Sequence, residues 1–153
     1  MDERISRLTT PEECEQLALN VESWLPELAR EARRRAVELR AAAHGAISEV
    51  EREALEAVYA YERVLSVTKG KNIRASRTWQ MIKRHGIITA VERAVNRPKE
   101  TSGYKALVDM GMHDFAFEAV ICRHPSVFSP EALKRSKERL KEWQHSETED
   151  GNT

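Results

Sequence analysis

Apolar residues recur along most of this chain at intervals of three and four, the spacing that lines one side of an α-helix. Cys14, Leu17, Ala18 and Val21 share one side of a first helix. Its start is marked by Thr10-Pro11-Glu12-Glu13: threonine caps, proline takes the first helical position, and a glutamate follows three residues after the cap. Pro26 opens a second helix with the stripe Leu25, Leu28, Ala32, Ala36, Leu39 and Ala43, ended by Gly45. Ser48-Glu49-Val50-Glu51 is another capping box, and it starts the longest regular stretch, about 49 to 67. There Val50, Ala54, Ala57, Val58, Tyr61 and Leu65 form the core side, while Glu51, Arg52, Glu56 and Arg63 are expected to face water.

The pattern then shortens. Ser76 is placed to cap a helix reaching Gly86, through Trp79, Met81, Ile82 and His85. A second runs from about Ile88 to Asn96 with Ile88, Val91, Ala94 and Val95 inward. Further helices are expected over Tyr104 to Met110, over Asp114 to Arg123, and from Ser129-Pro130-Glu131 through Leu133, Leu140 and Trp143. No segment alternates with period two. The expectation is an all-α fold: a compact domain of about seven helices over 1–143, the 49–67 helix at its centre, and an acidic, disordered tail over 144–153.

Composition agrees with this and narrows the setting. The chain has 153 residues, enough for one core without staples, and 41% of them are hydrophobic and 33% charged. Two cysteines, Cys14 and Cys122, make neither a disulfide framework nor a metal pair. MDERISRLTT lacks the apolar core of a secretory signal, and no apolar run approaches the ~20 residues of a membrane span. A cytoplasmic location with no membrane partner is expected.

Charge changes the picture most. The formal net charge is zero, yet Lys69 to Lys99 holds nine basic residues (Lys69, Lys71, Arg74, Arg77, Lys83, Arg84, Arg93, Arg97, Lys99) against one acid, Glu92. That stretch is therefore +8 and the remainder −8. Lys69 to Gly86 contains six cations and no acid at all. Elsewhere acids precede arginines at helical spacing, as in Glu31 and Arg35, and read as solvated pairs.

Uncompensated charge needs a partner or suffers self-repulsion. One reading is a surface for DNA or RNA. Two short helices joined through Gly86 have the outline of a helix-turn-helix, although its turn usually takes three or four residues. Lys69, Lys71 and Arg74 would form a flexible basic arm, Arg77, Lys83 and Arg84 would meet phosphates, and Arg93 and Arg97 lie four apart on the second helix. The alternative is a scaffold that binds another protein or a fused domain. Its basic stretch would pair with acids of its own fold, from the Glu-rich first and third helices, or with a partner's, and an apolar groove would lie around Tyr104, Phe115, Phe117 and Phe128.

Catalytic and metal signatures are absent. Lys69-Gly70-Lys71-Asn72 lacks the helix start and hydroxyl of a phosphate-binding loop, and Ser76 and Ser102 have no nucleophile-elbow context. His113, Asp114, Glu118, Cys122 and His124 cluster in sequence but not at the spacing of one helix face. His124 suits a helix C-terminus, where a cation is favoured. Trp79 suits a core edge. No cofactor is expected, and the reading leans away from an enzyme.

The stretch RASRTWQMIKRHGIITAVERAVNRP, with TSGYKALVDMGMHDFAFEAV after it, resembles a segment of uncharacterised helical proteins of bacteria. The resemblance implies a bacterial, cytoplasmic protein and points to one module of a longer one. It implies no activity, ligand or site residue.

Overall fold

A computed structural model describes residues 2–46, 48–96 and 102–151, apart from the side chains of 102, 103 and 145–151. All regular structure among the described residues is helical. The elements are α1 (Glu3–Ser6), α2 (Pro11–Val21), α3 (Pro26–Ala43), α4 (Glu49–Lys69), α5 (Ser76–His85), α6 (Ile87–Asn96), α7 (Ser102–Asp109), a 3-10 turn (His113–Phe115), α8 (Phe117–Arg123) and α9 (Pro130–Gly151). The fold is all-α, with nine α-helices among the described residues where about seven were expected. The expected disordered tail falls, from 145 on, outside the residues whose side chains are described.

Local chemistry explains most boundaries. Thr10 Oγ1 accepts the Glu13 N–H at 3.2 Å, and Ser48 Oγ accepts the Glu51 N–H at the same distance, so both sequence-marked caps form. Helix α4 runs two residues beyond the expected end and stops at Gly70, whose φ of +69° is the left-handed conformation that closes helices. Helix α1 adds a turn that the apolar pattern did not mark, capped by the Asp2 carboxylate on the Arg4 N–H. The expected helix from Asp114 to Arg123 is divided at Ala116, which sits at φ −55°, ψ 145°. That break sends Phe115 and Phe117 into different parts of the core.

Helices α2 and α3 form an antiparallel pair. Glu22 meets Arg33 and Glu15 meets Arg40, so contacts step in opposite directions along the two helices. Under this pair lies a cluster of Ile5, Ala18, Val21, Leu28, Ala29 and Ala32. Helix α4 packs on α3, α6, α7, α8 and the 3-10 turn, and it supplies both larger clusters. Ala54, Ala57 and Val58 join Val91, Val95, Phe117, Val120 and Ile121, whereas Ala60 and Val64 join Val37, Tyr104, Met112, Phe115 and Trp143. Each large apolar side chain so buried contributes about 1.5–3 kcal/mol.

Double coverage of α4 overturns one expectation. Glu56, placed in water by periodicity, is only 4% exposed and rests on Arg52 at 2.8 Å. Burial pushes its carboxyl above the usual range, with Arg52 pulling the other way. A second correction concerns the aromatic groove. Tyr104, Phe115, Phe117 and Phe128 are all buried in the core instead of lining an open surface, because α8, α9 and α4 close over them. A third is the pair Glu31–Arg35: Glu31 accepts the Asp2 backbone N–H, and Arg35 leans to Glu38 at 3.8 Å.

Candidate nucleic-acid interface

The basic stretch occupies the last turn of α4, the following loop, α5 and α6. Lys69, Lys71, Arg74, Arg77, Lys83, Arg84 and Arg93 are all exposed, while Arg97 and Lys99 lie outside the described residues. Helix α5 buries no residue fully. Trp79 and Ile82 rest on the core beside α4 and α6. At 100° per residue, Ser76, Lys83, Gln80, Arg84 and Arg77 fall within an arc of about 120° on its opposite side. These five are exposed, so α5 presents one polar, cationic ridge.

The loop before α5 is anchored at two points, which corrects the picture of a flexible arm. Ser66, on the last turns of α4, accepts the Ile73 N–H at 2.9 Å and donates to the Ile73 carbonyl at 3.3 Å. Glu62, one turn earlier, accepts the Ala75 N–H at 2.7 Å and the Trp79 indole N–H at 2.8 Å through Oε2. Ala75 thereby takes the cap position expected of Ser76. Arg74 lies 3.8 Å from Glu62 and 5.9 Å from the centre of the Trp79 ring. Trp79 itself stacks on His44 and touches Tyr59. Periodicity did not single out Glu62 or Ser66. A carboxylate and a hydroxyl one turn apart, facing the returning chain, were the available signal.

Several acids of the fold are engaged elsewhere. Glu15 meets Arg40 and Arg63, Glu22 meets Arg33, Glu53 meets Arg123 and His124, and Glu49 and Glu56 meet Arg52. Glu92, the one acid within the basic stretch, accepts the Ser129 N–H at the start of α9 at 2.5 Å. Among the described residues, only Arg74 of the seven cations meets an internal carboxylate, and its side chain is still 74% exposed.

Helix α6 is a poor reader of bases. Its Ala90, Val91 and Val95 are buried in the core, and Gly86 alone links it to α5. Asn96 accepts from Arg135 through both its side-chain and its backbone oxygen, leaving Arg93 as the exposed cation on that helix.

The sequence cluster around His113 to His124 disperses. Asp114 takes a two-pronged contact from Arg34 at 2.6 and 2.8 Å, Glu118 faces Arg139, and His124 caps α8 and meets Glu53. No group of three potential metal ligands occurs among the described residues. No helix among them is long and apolar enough to cross a membrane. No protein-family model, curated protein or solved structure matches the chain.

Proposed function

We propose that this protein binds nucleic acid through its phosphate backbone, using the surface formed by Lys69, Lys71, Arg74 and the α5 ridge of Arg77, Lys83 and Arg84. One observation carries the reading: six exposed cations follow one another from the end of α4 through the loop and α5, while Glu62 and Glu92, the acids that meet this region, are held by backbone N–H groups. A ten-residue helix is about 15 Å long, and duplex DNA carries one charge per about 1.7 Å of its axis. The ridge therefore lies opposite several phosphates at once. The residues between the cations are Gln80, Ser76 and Asn72, which hydrogen-bond to phosphate or sugar.

An acidic protein surface is the less fitting partner. Protein interfaces usually centre on desolvated apolar or aromatic anchors. The exposed large apolar side chains among the described residues are Leu19, Trp24, Val67 and Val127, and none is on α5. With α6 buried along its apolar side and Asn96 engaged, the binding is expected to be weakly selective for sequence.

The test is an anisotropy titration against duplex DNA, structured RNA and single strands over a range of salt. Six phosphate contacts would give a slope of log affinity against log salt of at most about −5 on duplex DNA. Replacing Arg77, Lys83 and Arg84 together by alanine should reduce that slope by about three and leave the melting temperature in place, since each is exposed. Absence of binding to every nucleic acid at low salt would remove the proposal.

A further inference from the structure

Beside the loop that carries Arg74 is a pocket of about 190 Å³, walled by α2, α3, α4 and the loop. Its chemistry comes from Glu15, Arg40, Tyr59, Arg63, Asn72 and Arg74. Glu62 and Ser66, the residues that anchor the loop, form part of its wall. Three guanidinium groups therefore face two carboxylates.

Those carboxylates are unevenly shared. Glu15 Oε1 accepts from Arg40 at 2.5 Å, but the nearest Arg63 nitrogen lies 3.7 Å away, beyond hydrogen-bonding distance. Glu62 Oε2 is held by the Ala75 and Trp79 N–H groups. Arg63 forms no hydrogen bond among the described residues, its side chain is only 21% exposed, and its Nε is buried without a partner. Arg63 thus pairs with Glu15 by charge without a hydrogen bond, and its buried Nε lacks an acceptor, which is costly unless an anion completes the site.

We infer that this pocket receives the terminal phosphate monoester of a nucleic-acid strand whose backbone runs along the α5 ridge. The inference rests on the nucleic-acid reading of that ridge. Size selects the group. Pockets for whole small ligands run to about 300–1,000 Å³, whereas a cavity of about 150 Å³ accommodates a molecule as small as benzene. This pocket thus suits a phosphate with part of its sugar and leaves the base outside it. Shape favours a terminal group, because α2, α3, α4 and the loop wall the pocket and a phosphate inside it meets side chains from several directions. Charge selects the monoester, which carries about −1.5 to −2 near neutrality against −1 for a diester. Arg63 and Arg40 supply the donors, and exposed Arg74 and Asn72 lie where the pocket meets the basic surface. Tyr59 leads from the pocket to His44 and Trp79, a stacked pair whose exposed histidine offers a face to the terminal base.

The experiment uses the full chain and one short single strand in three forms: 5′-phosphorylated, 3′-phosphorylated, and hydroxyl at both ends. One phosphorylated form should bind about tenfold more tightly than the hydroxyl form, the difference made by one charge-assisted contact, and it identifies which end is read. Arg63→Gln should erase that preference while leaving the hydroxyl form bound as before. Equal binding of all three forms by the wild-type chain overturns the pocket and leaves the ridge untouched. A preference that survives Arg63→Gln also overturns it, because the added charge is then acting on the open surface. Calorimetry with a nucleoside monophosphate separates the two ideas in the other direction. Binding that persists when Arg77, Lys83 and Arg84 are alanine but disappears in Arg63→Gln upholds the pocket, even if no oligonucleotide binds. Should Arg63→Gln fail to fold, the comparison of the three strands on the wild-type chain still decides.

Discussion

Glu62 shows how much one side chain can decide. Its Oε2 receives two N–H groups, one from the backbone at Ala75 and one from the Trp79 indole, and Arg74 sits nearby. Removing it orphans both donors, each of which is partly or wholly out of water. Glu62→Ala should therefore cost about 1–3 kcal/mol, read as a lower urea midpoint with an unchanged slope. Glu62→Gln keeps an acceptor oxygen and should restore most of the loss. An unchanged midpoint in Glu62→Ala would mean that the carboxylate does not hold the loop. A core residue gives a calibration: Ile121, fully buried between α8 and its neighbours, should cost about 2–5 kcal/mol as alanine. Core residues such as Val58, 1% exposed, are legible from spacing alone. Glu62 is not, because its partners arrive from another part of the chain.

At the scale of elements, the joints carry the information. Helix α4 hands over to the basic loop at Gly70, where φ is +69° and an added Cβ would meet open space. Gly70→Ala should thus cost only the backbone term, about 1 kcal/mol. Gly111 precedes the 3-10 turn at the same φ, but a Cβ there would stand 3.3 Å from Arg30 Cδ. Gly111→Ala should be the more destabilising of the two, measured as the difference between their thermal midpoints. Equal losses would show that Arg30 moves aside freely. Elements with strong local marks, such as α2 with its Thr10 cap and α4 with its Ser48 cap, stand where the sequence put them. The stretch from Asp114 to Arg123 divides because its two phenylalanines are drawn to separate clusters, and helical periodicity has no term for that.

Across the whole molecule, the acids hold the helices together and the cations of α5 are left over. Asp114 ties the 3-10 turn to α3 through Arg34, and Glu53 ties α4 to α8 through His124 and Arg123. Burial works to raise both carboxyls, but those partners outweigh it and hold them below their ordinary 3.8 and 4.5. A lowered folded value contributes stability that is complete above the unfolded value and is lost as pH falls through the folded one. Glu56 has the opposite sign. Its raised carboxyl gives stability that is present below its ordinary 4.5 and disappears as pH rises through its folded value. Three lowered carboxyls, with Asp2 held down by Arg4 as the third, against one raised group predict a net loss of stability as pH drops below about 5. Urea midpoints measured against pH should fall there for the wild type and fall less steeply for Arg34→Ala, in which Asp114 no longer has its partner. Parallel curves for the two proteins would refute the role assigned to Asp114.

The sequence by itself determined the all-α class, the caps of α2 and α4, the helical stripes and the segregation of charge into Lys69 to Lys99. These are properties of neighbours three or four residues apart, and local chemistry sets them. Tertiary structure alone decided that α4 is covered on two sides, which buried Glu56, and that the aromatic residues expected around a groove are core. It also decided the standing of the basic stretch. Whether a cation finds a carboxylate depends on where other helices lie: Glu15 went to Arg40, Glu53 to Arg123 and Glu92 to a backbone N–H. The charge pattern was written in the chain, but which charges remain unpaired was set by packing between residues far apart in it.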